Sequence, residues 1–162
     1  MSYATSEDTS ELLTSFQSLS VDKQLALFYF IYKEMGGAVT PAAPGASTAS
    51  PAIAEALFDQ VKAMSREEQL QIQRDLIQGT NTEITREYAS LSDTTKLLFW
   101  YLLAQGMDNG SVIPMPETYS LSDSEEELLN QVKAMDYQKQ MTFFRDLVSP
   151  MGSSAEPKLG EI

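Results

Sequence analysis

Neither histidine nor cysteine occurs anywhere in this 162-residue chain. That removes the usual ligands of structural zinc, haem and iron–sulfur clusters. It also removes the Cys–His and Ser–His–Asp nucleophile systems and any imidazole base. Chemistry would fall to Asp, Glu, Lys or Tyr. The densest acidic group, Glu125-Glu126-Glu127, opens a stretch of helical period, where negative charge favours the helix dipole and a solvated position is expected. A Glu-x-x-His di-iron site is impossible, and neither G-x-G-x-x-G nor G-x-x-x-x-G-K-[ST] is present. The chain reads as a protein that is not an enzyme.

What it does carry is aromatic and thioether surface. Leu25, Phe28, Tyr29, Tyr32 and Met35 project within about 120° of one helix face at 100° per residue. Leu97, Trp100, Tyr101, Ala104 and Met107 repeat that face, and Met115, Pro116 and Tyr119 follow in a proline-containing loop. Such a stripe has two readings, ordinary core or the wall of a channel for a flat, elongated, apolar ligand. Tyr29, Tyr32 and Tyr101 weigh toward the channel, because buried hydroxyls need partners and a packing core is made more simply from Leu or Phe.

The elements that must position these residues are helical. No proline falls between Pro51 and Pro114, and apolar residues there recur at three- and four-residue steps. Ser20, Ser65 and Ser122 each precede a periodic stretch, and Ser65 and Ser122 are followed three residues later by Glu68 and Glu125, the capping-box pattern. The expected fold is all-α, with helices near 8–18, 21–36, 52–64, 66–78, 81–90, 93–109, 122–135 and 137–149. Residues 36–51 and 110–119 read as loops, and 153–162 as a flexible tail.

An internal repeat runs through this pattern. Gln60-Val61-Lys62-Ala63-Met64 returns letter for letter as Gln131-Val132-Lys133-Ala134-Met135, and Arg74-Asp75-Leu76 as Arg145-Asp146-Leu147, 71 residues on. Ser18-Leu19-Ser20 returns as Ser90-Leu91-Ser92, and Met35 and Pro44 as Met107 and Pro116, at a spacing of 72. Residues 1–152 are therefore expected to form one domain of two similar four-helix halves, 8–79 and 80–150, born of an internal duplication. Such halves commonly pack about a pseudo-two-fold axis, and their interface is a favoured ligand site.

Charge narrows the partners. Eleven basic against 23 acidic residues give a net −12, which opposes nucleic-acid backbones and anionic lipid. Met1 to Asp8 has neither the basic nor the apolar region of a secretion signal. The apolar run Leu25 to Tyr32 falls far short of the roughly 20 residues of a membrane span. A soluble, cytoplasmic monomer with no nucleic-acid partner and no membrane span is expected.

Gln24 to Leu27, Tyr32 to Gly36, Ala42-Ala43-Pro44-Gly45-Ala46 and Tyr88-Ala89-Ser90 through Lys96-Leu97-Leu98-Phe99-Trp100-Tyr101 closely resemble the N-terminal domain of the cyanobacterial orange carotenoid proteins. The resemblance runs from about Phe16 to Gly152. Since the chain ends at Ile162, where two-domain members continue, it is similar to the single-domain relatives, the helical carotenoid proteins. The resemblance implies two interleaved or discontinuous four-helix bundles. A ketocarotenoid of the canthaxanthin, echinenone or 3'-hydroxyechinenone type would lie in the channel between them. Carried over residue by residue, the carotenoid contacts fall on Leu25, Phe28, Tyr29, Tyr32, Met35, Gln73, Leu97, Trp100, Tyr101, Met107, Met115, Pro116 and Tyr119.

The implied function is photoprotection, chiefly singlet-oxygen quenching, near cyanobacterial thylakoids and without a light switch. Arg145 matches the family arginine linked to the C-terminal domain and to phycobilisome docking. This adds two alternatives, quenching of antenna excitation on the phycobilisome and exchange of pigment with a C-terminal-domain homologue. Arg145 also reads as plain scaffold, because Arg74 holds the repeat-equivalent place. Tyr29 and Gln73 stand where the family pattern has Trp and Met, and Gly37, Leu102 and Asp146 stand where it has Lys, Arg and Asn. A helical adaptor whose stripe is only core is the reading from a different class.

Overall fold

A computed structural model describes residues 2–35, 51–116 and 119–153, without the side chains of 2–9, 35 and 51. The described residues form eight helices: α1 (Ser2–Gln17), α2 (Val21–Met35), α3 (Pro51–Lys62), α4 (Arg66–Gln78), α5 (Glu83–Ala89), α6 (Asp93–Asn109), α7 (Asp123–Ala134) and α8 (Tyr137–Val148). The expected loop at 36–50 and the tail from 154 lie outside the described residues. The expected helices are all present; α1 begins at Ser2 rather than near residue 8.

Cap chemistry sets several boundaries. Ser65 accepts from the Glu68 N–H while the Glu68 carboxylate accepts from the Ser65 N–H, and Ser122 and Glu125 do the same. Thr82 and Thr85 form a third reciprocal cap, and Ser92 and Asp136 cap α6 and α8. Each such cap contributes about 1 kcal/mol by satisfying amides the helix cannot.

The bundles of the structure are not the halves of the sequence. Helix α1 packs on α7 and α8 and α2 on α7, whereas α5 packs on α3 and α4 and α6 on α3. Two four-helix groups result, α1-α2-α7-α8 and α3-α4-α5-α6, each drawing two helices from either half of the chain. They meet where α2 touches α6, with α4 against α2 and α8 against α6. Exchanging α1–α4 with α5–α8 maps these contacts onto one another, which is the pattern of a pseudo-two-fold.

Repeat-equivalent residues also do equivalent work in the core. Val61 and Val132, and Leu76 and Leu147, are all 1% exposed or less. Gln69 Nε2 donates to the Val61 carbonyl at 3.2 Å, and 71 residues on Gln140 Nε2 donates to the Val132 carbonyl at 2.9 Å. Both bonds fasten the last turn of one helix to the start of the next, on carbonyls that also accept from the Met64 and Met135 N–H groups.

The chain closes on a glycine. Gly152 has φ of 87° and donates its N–H to the Leu76 carbonyl at 2.8 Å, while Ser153 donates to Thr85 at 3.1 Å. A Cβ on Gly152 would lie 2.7 Å from the Tyr88 ring, so both the left-handed backbone and the close approach require glycine.

Candidate functional site

Helix α2 turns Leu25, Phe28, Tyr29 and Tyr32 toward α6, and α6 answers with Leu97, Trp100, Tyr101 and Met107. Along this seam lie three hollows that share walls. The widest, about 260 Å³, is lined by Leu25 and Ala26 of α2, Leu70, Gln73 and Arg74 of α4, Met107 of α6 and the Ile113–Pro116 stretch with Tyr119. A narrow hollow of about 10 Å³ follows between Leu25, Phe28, Tyr29, Gln73, Trp100 and Met107. The third, about 20 Å³, lies between Phe28, Ile31, Tyr32, Leu97, Tyr101 and Phe144 of α8. Every carbon-rich face the sequence singled out borders this line except that of Met35, whose side chain is outside the described residues.

Ring contacts close the narrow part. Phe28 and Trp100 have centroids 5.3 Å apart, and Tyr32 meets Tyr101 edge-on at 5.5 Å. Trp100 is 3% exposed, and its Nε1–H donates at 3.0 Å to the Tyr88 hydroxyl, which in turn donates at 2.7 Å to the Val148 carbonyl. This relay ties α6 to α5 and α8 and fixes the plane of the indole. Phe28, Tyr29, Tyr32 and Tyr101 are only half-buried, so their rings can turn aside, and Met107 and Met115 can repack.

Gln73 apart, the polar groups lie at the borders. Arg74 grips Asp22 with two bonds, Nε at 2.8 Å and a terminal nitrogen at 3.0 Å, tying α4 to α2 beside the wide cavity. That bond raises the Arg74 pKa further above its already high ordinary value. Lys33 pairs with Asp108 at 2.8 Å, and the Tyr29 hydroxyl reaches the same carboxylate at 3.5 Å, joining the C-terminal turns of α2 and α6. Burial raises the Tyr29 and Tyr32 phenol pKa values, since it disfavours phenolate.

The loop that walls the wide cavity is tied down at both ends. Gln69 donates to Ser111 and accepts from the Ile113 N–H, at 3.3 and 2.8 Å. The Tyr119 hydroxyl donates at 2.8 Å to Glu125, whose other oxygen accepts from the Ser122 N–H. Burial, then this bond and the adjacent carboxylate charge, push the Tyr119 phenol up to about 12. The acidic run is therefore only partly solvated. Glu126 and Glu127 are exposed, but Glu125 is 1% exposed, because the cap and Tyr119 satisfy its oxygens. The expectation of a wholly solvated helix start is wrong at that residue.

Repeat mates diverge at the two arginines. The Asp22 position corresponds to Thr94, so Arg145 lacks the carboxylate that Arg74 holds. Its Nε is buried without a hydrogen-bond partner among the described residues. Of its expected neighbours, Asp146 is exposed, Leu102 packs against the core, and Gly37 lies outside the described residues.

Among the described residues no cluster of three metal-ligating side chains exists, and no helix is long and apolar enough to cross a membrane. At 260 Å³ the wide cavity falls just below the roughly 300–1,000 Å³ of pockets for drug-sized ligands. A cavity of this size has room for part of a long molecule. The remainder would pass between the Phe28, Trp100, Tyr32 and Tyr101 faces as the half-buried rings move. An elongated, apolar, conjugated ligand fits these residues. Sequence reasoning missed Leu70, Ile113, Arg74, Ile31 and Phe144 in the lining. Phe144 was within reach, because it is the repeat mate of Gln73.

A family profile described as "Orange carotenoid protein, N-terminal" matches residues 2–154. An orange carotenoid-binding domain-containing protein of Nostoc sp. (strain PCC 7120) is 43% identical over 148 residues, covering 91% of this chain and 85% of the relative. The orange carotenoid-binding protein of Limnospira maxima is 41% identical over 148 residues, and there the chain spans only 46% of the relative's length. The solved structure of the Anabaena (Nostoc) sp. PCC 7120 Red Carotenoid Protein binding canthaxanthin is similar with a TM-score of 0.82 at 54% identity. That match covers 90% of this chain and 99% of the other.

Proposed function

Because the chain belongs to the family of the orange carotenoid protein N-terminal domain, we propose that it is a carotenoid-binding protein that seats a ketocarotenoid along the α2–α6 seam and protects against singlet oxygen. The observation that carries this reading is the row of hollows, sharing walls and largely apolar in lining, that joins aromatic residues of both halves of the chain. A bound polyene supplies the chemistry, taking up excitation physically and losing it as heat. The protein's own residues give it shape and solubility. Phe28, Trp100, Tyr32 and Tyr101 offer flat faces, the Tyr88 relay holds one of them rigid, and Met107, Met115, Pro116 and Tyr119 enclose an end ring. A net charge of −12 keeps the loaded particle dispersed. We place it in the cyanobacterial cytoplasm near thylakoids, as a monomer whose quenching does not wait for light. The 71- and 72-residue repeat and the exchangeable helix contacts support an origin by internal duplication.

The test is to purify the protein from a host that accumulates ketocarotenoids, beside a Tyr32→Leu/Tyr101→Leu variant. A structured visible band that co-elutes with the wild type, weakens in the variant and is accompanied by faster decay of singlet-oxygen phosphorescence is expected. A colourless, folded wild type would sink the reading and leave an adaptor whose stripe is core.

A second reading rests on Arg145. Arg145 is half-buried and, unlike Arg74, holds no carboxylate among the described residues, so the outer part of its guanidinium is left for a carboxylate from a partner. That favours docking on the phycobilisome or on a C-terminal-domain homologue that exchanges pigment. Arg145→Ala should abolish co-sedimentation with phycobilisomes, or pigment transfer, without altering the holoprotein's colour.

A further inference from the structure

Helices α4 and α8 occupy equivalent places at opposite ends of the seam, yet they present different chemistry to it. On α4 the residue is Gln73; 71 positions on, the α8 residue is Phe144. Gln73 is only 3% exposed, and it borders both the wide cavity and the narrow hollow beside it. Its one hydrogen bond among the described residues runs from Nε2 to the Gln69 carbonyl at 3.3 Å. A primary amide has two N–H donors and an accepting oxygen. One N–H and the oxygen are therefore uncommitted, at the border of a cavity whose walls include Leu25, Met107 and Met115. The bond to Gln69 also fixes which way round the amide lies, because the reverse orientation would set oxygen against oxygen. Burying an amide in such surroundings is unfavourable unless something meets its remaining valences.

We propose that Gln73 is a specificity-determining residue that hydrogen-bonds an oxygen on the end ring of the carotenoid seated in the wide cavity. This rests on the carotenoid reading above. The α4 end is then the end that reads oxygen, and the α8 end, with Phe144 in the same place, takes a plain hydrocarbon ring. A polyene oxygenated on one ring only lies in the seam in one direction.

Competition between echinenone, with one keto ring, and β-carotene, with none, tests this on the intact protein. Wild type should favour echinenone roughly three- to ten-fold more strongly than Gln73→Met does, the range expected of one hydrogen bond. Gln71→Met, the same change on the exposed face of α4, should leave the wild-type preference in place. Independently of any variant, the bound ketone's C=O stretch should fall below its frequency in an apolar solvent. Equal pigment ratios in wild type and Gln73→Met, or an unshifted ketone stretch, would overturn the proposal while carotenoid binding stands. A folded wild type that takes up neither pigment would overturn the carotenoid reading itself.

Discussion

Trp100 owes its orientation to a residue that never borders the seam. Tyr88, fully buried on α5, accepts from the indole N–H and donates its own O–H to the Val148 carbonyl. Tyr88→Phe should leave the indole N–H buried without an acceptor, while the Val148 carbonyl keeps only the Met151 N–H at 3.3 Å, and destabilise the fold by about 1–3 kcal/mol, read from urea unfolding followed by tryptophan fluorescence. Burial pushes the Tyr88 phenol well above its ordinary pKa. Tyr119 titrates at about 12 against 10.0 for free tyrosine. A raised folded-state value means that its contribution to stability is full below pH 10 and is lost as pH rises through about 12. In an ultraviolet phenolate titration, Glu125→Gln should bring that component down toward the ordinary value, and Tyr119→Phe should delete it. The Tyr119–Glu125 bond was not legible in the sequence, where Glu125 looks like its exposed neighbours. Only the loop's return over the helix start brings the phenol to it.

The helices were legible because their signals are local. Three- and four-residue periodicity, Ser65 and Ser122 with their glutamates, and the absence of proline between residues 51 and 114 act within a turn or two. What joins the elements was not, since a glutamine that spans two helices and a loop looks like any surface glutamine. Gln69 binds the Val61, Lys62 and Ser111 carbonyls and accepts from Ile113, whereas its repeat mate Gln140 binds Val132. Gln69→Leu should therefore both destabilise the fold and speed amide exchange at Ile113. Gln140→Leu should leave exchange at Ile113 unchanged. Unequal effects of this kind would show that the 111–113 segment is held by α4, and equal protection of Ile113 in both variants would refute it.

At the scale of the whole molecule, the family, the all-helical class and the repeat were visible in the letters, but the exchange of helices between bundles was not deducible from periodicity. It came from the resemblance, because periodicity says which face of a helix is apolar and nothing about which helix covers it. The two groups α1-α2-α7-α8 and α3-α4-α5-α6 each need both halves of the chain. Fragments 2–79 and 80–153 should accordingly show little helix alone by circular dichroism and regain the intact spectrum when mixed. Two fragments each folded on its own would contradict the interleaving. The same topology has a temporal side. Leu12 and Phe16 of α1 are covered by α7 and α8, Phe16 lying edge-on to Phe143 with centroids 6.2 Å apart. Among the described residues, α1 is thus sheltered mainly by two helices that are made more than 100 residues after it. At the roughly 5–20 residues per second of protein synthesis, its apolar face stays uncovered for on the order of ten seconds. Every new copy is therefore exposed to chaperones, and to its neighbours on the same message, until α7 and α8 have been made.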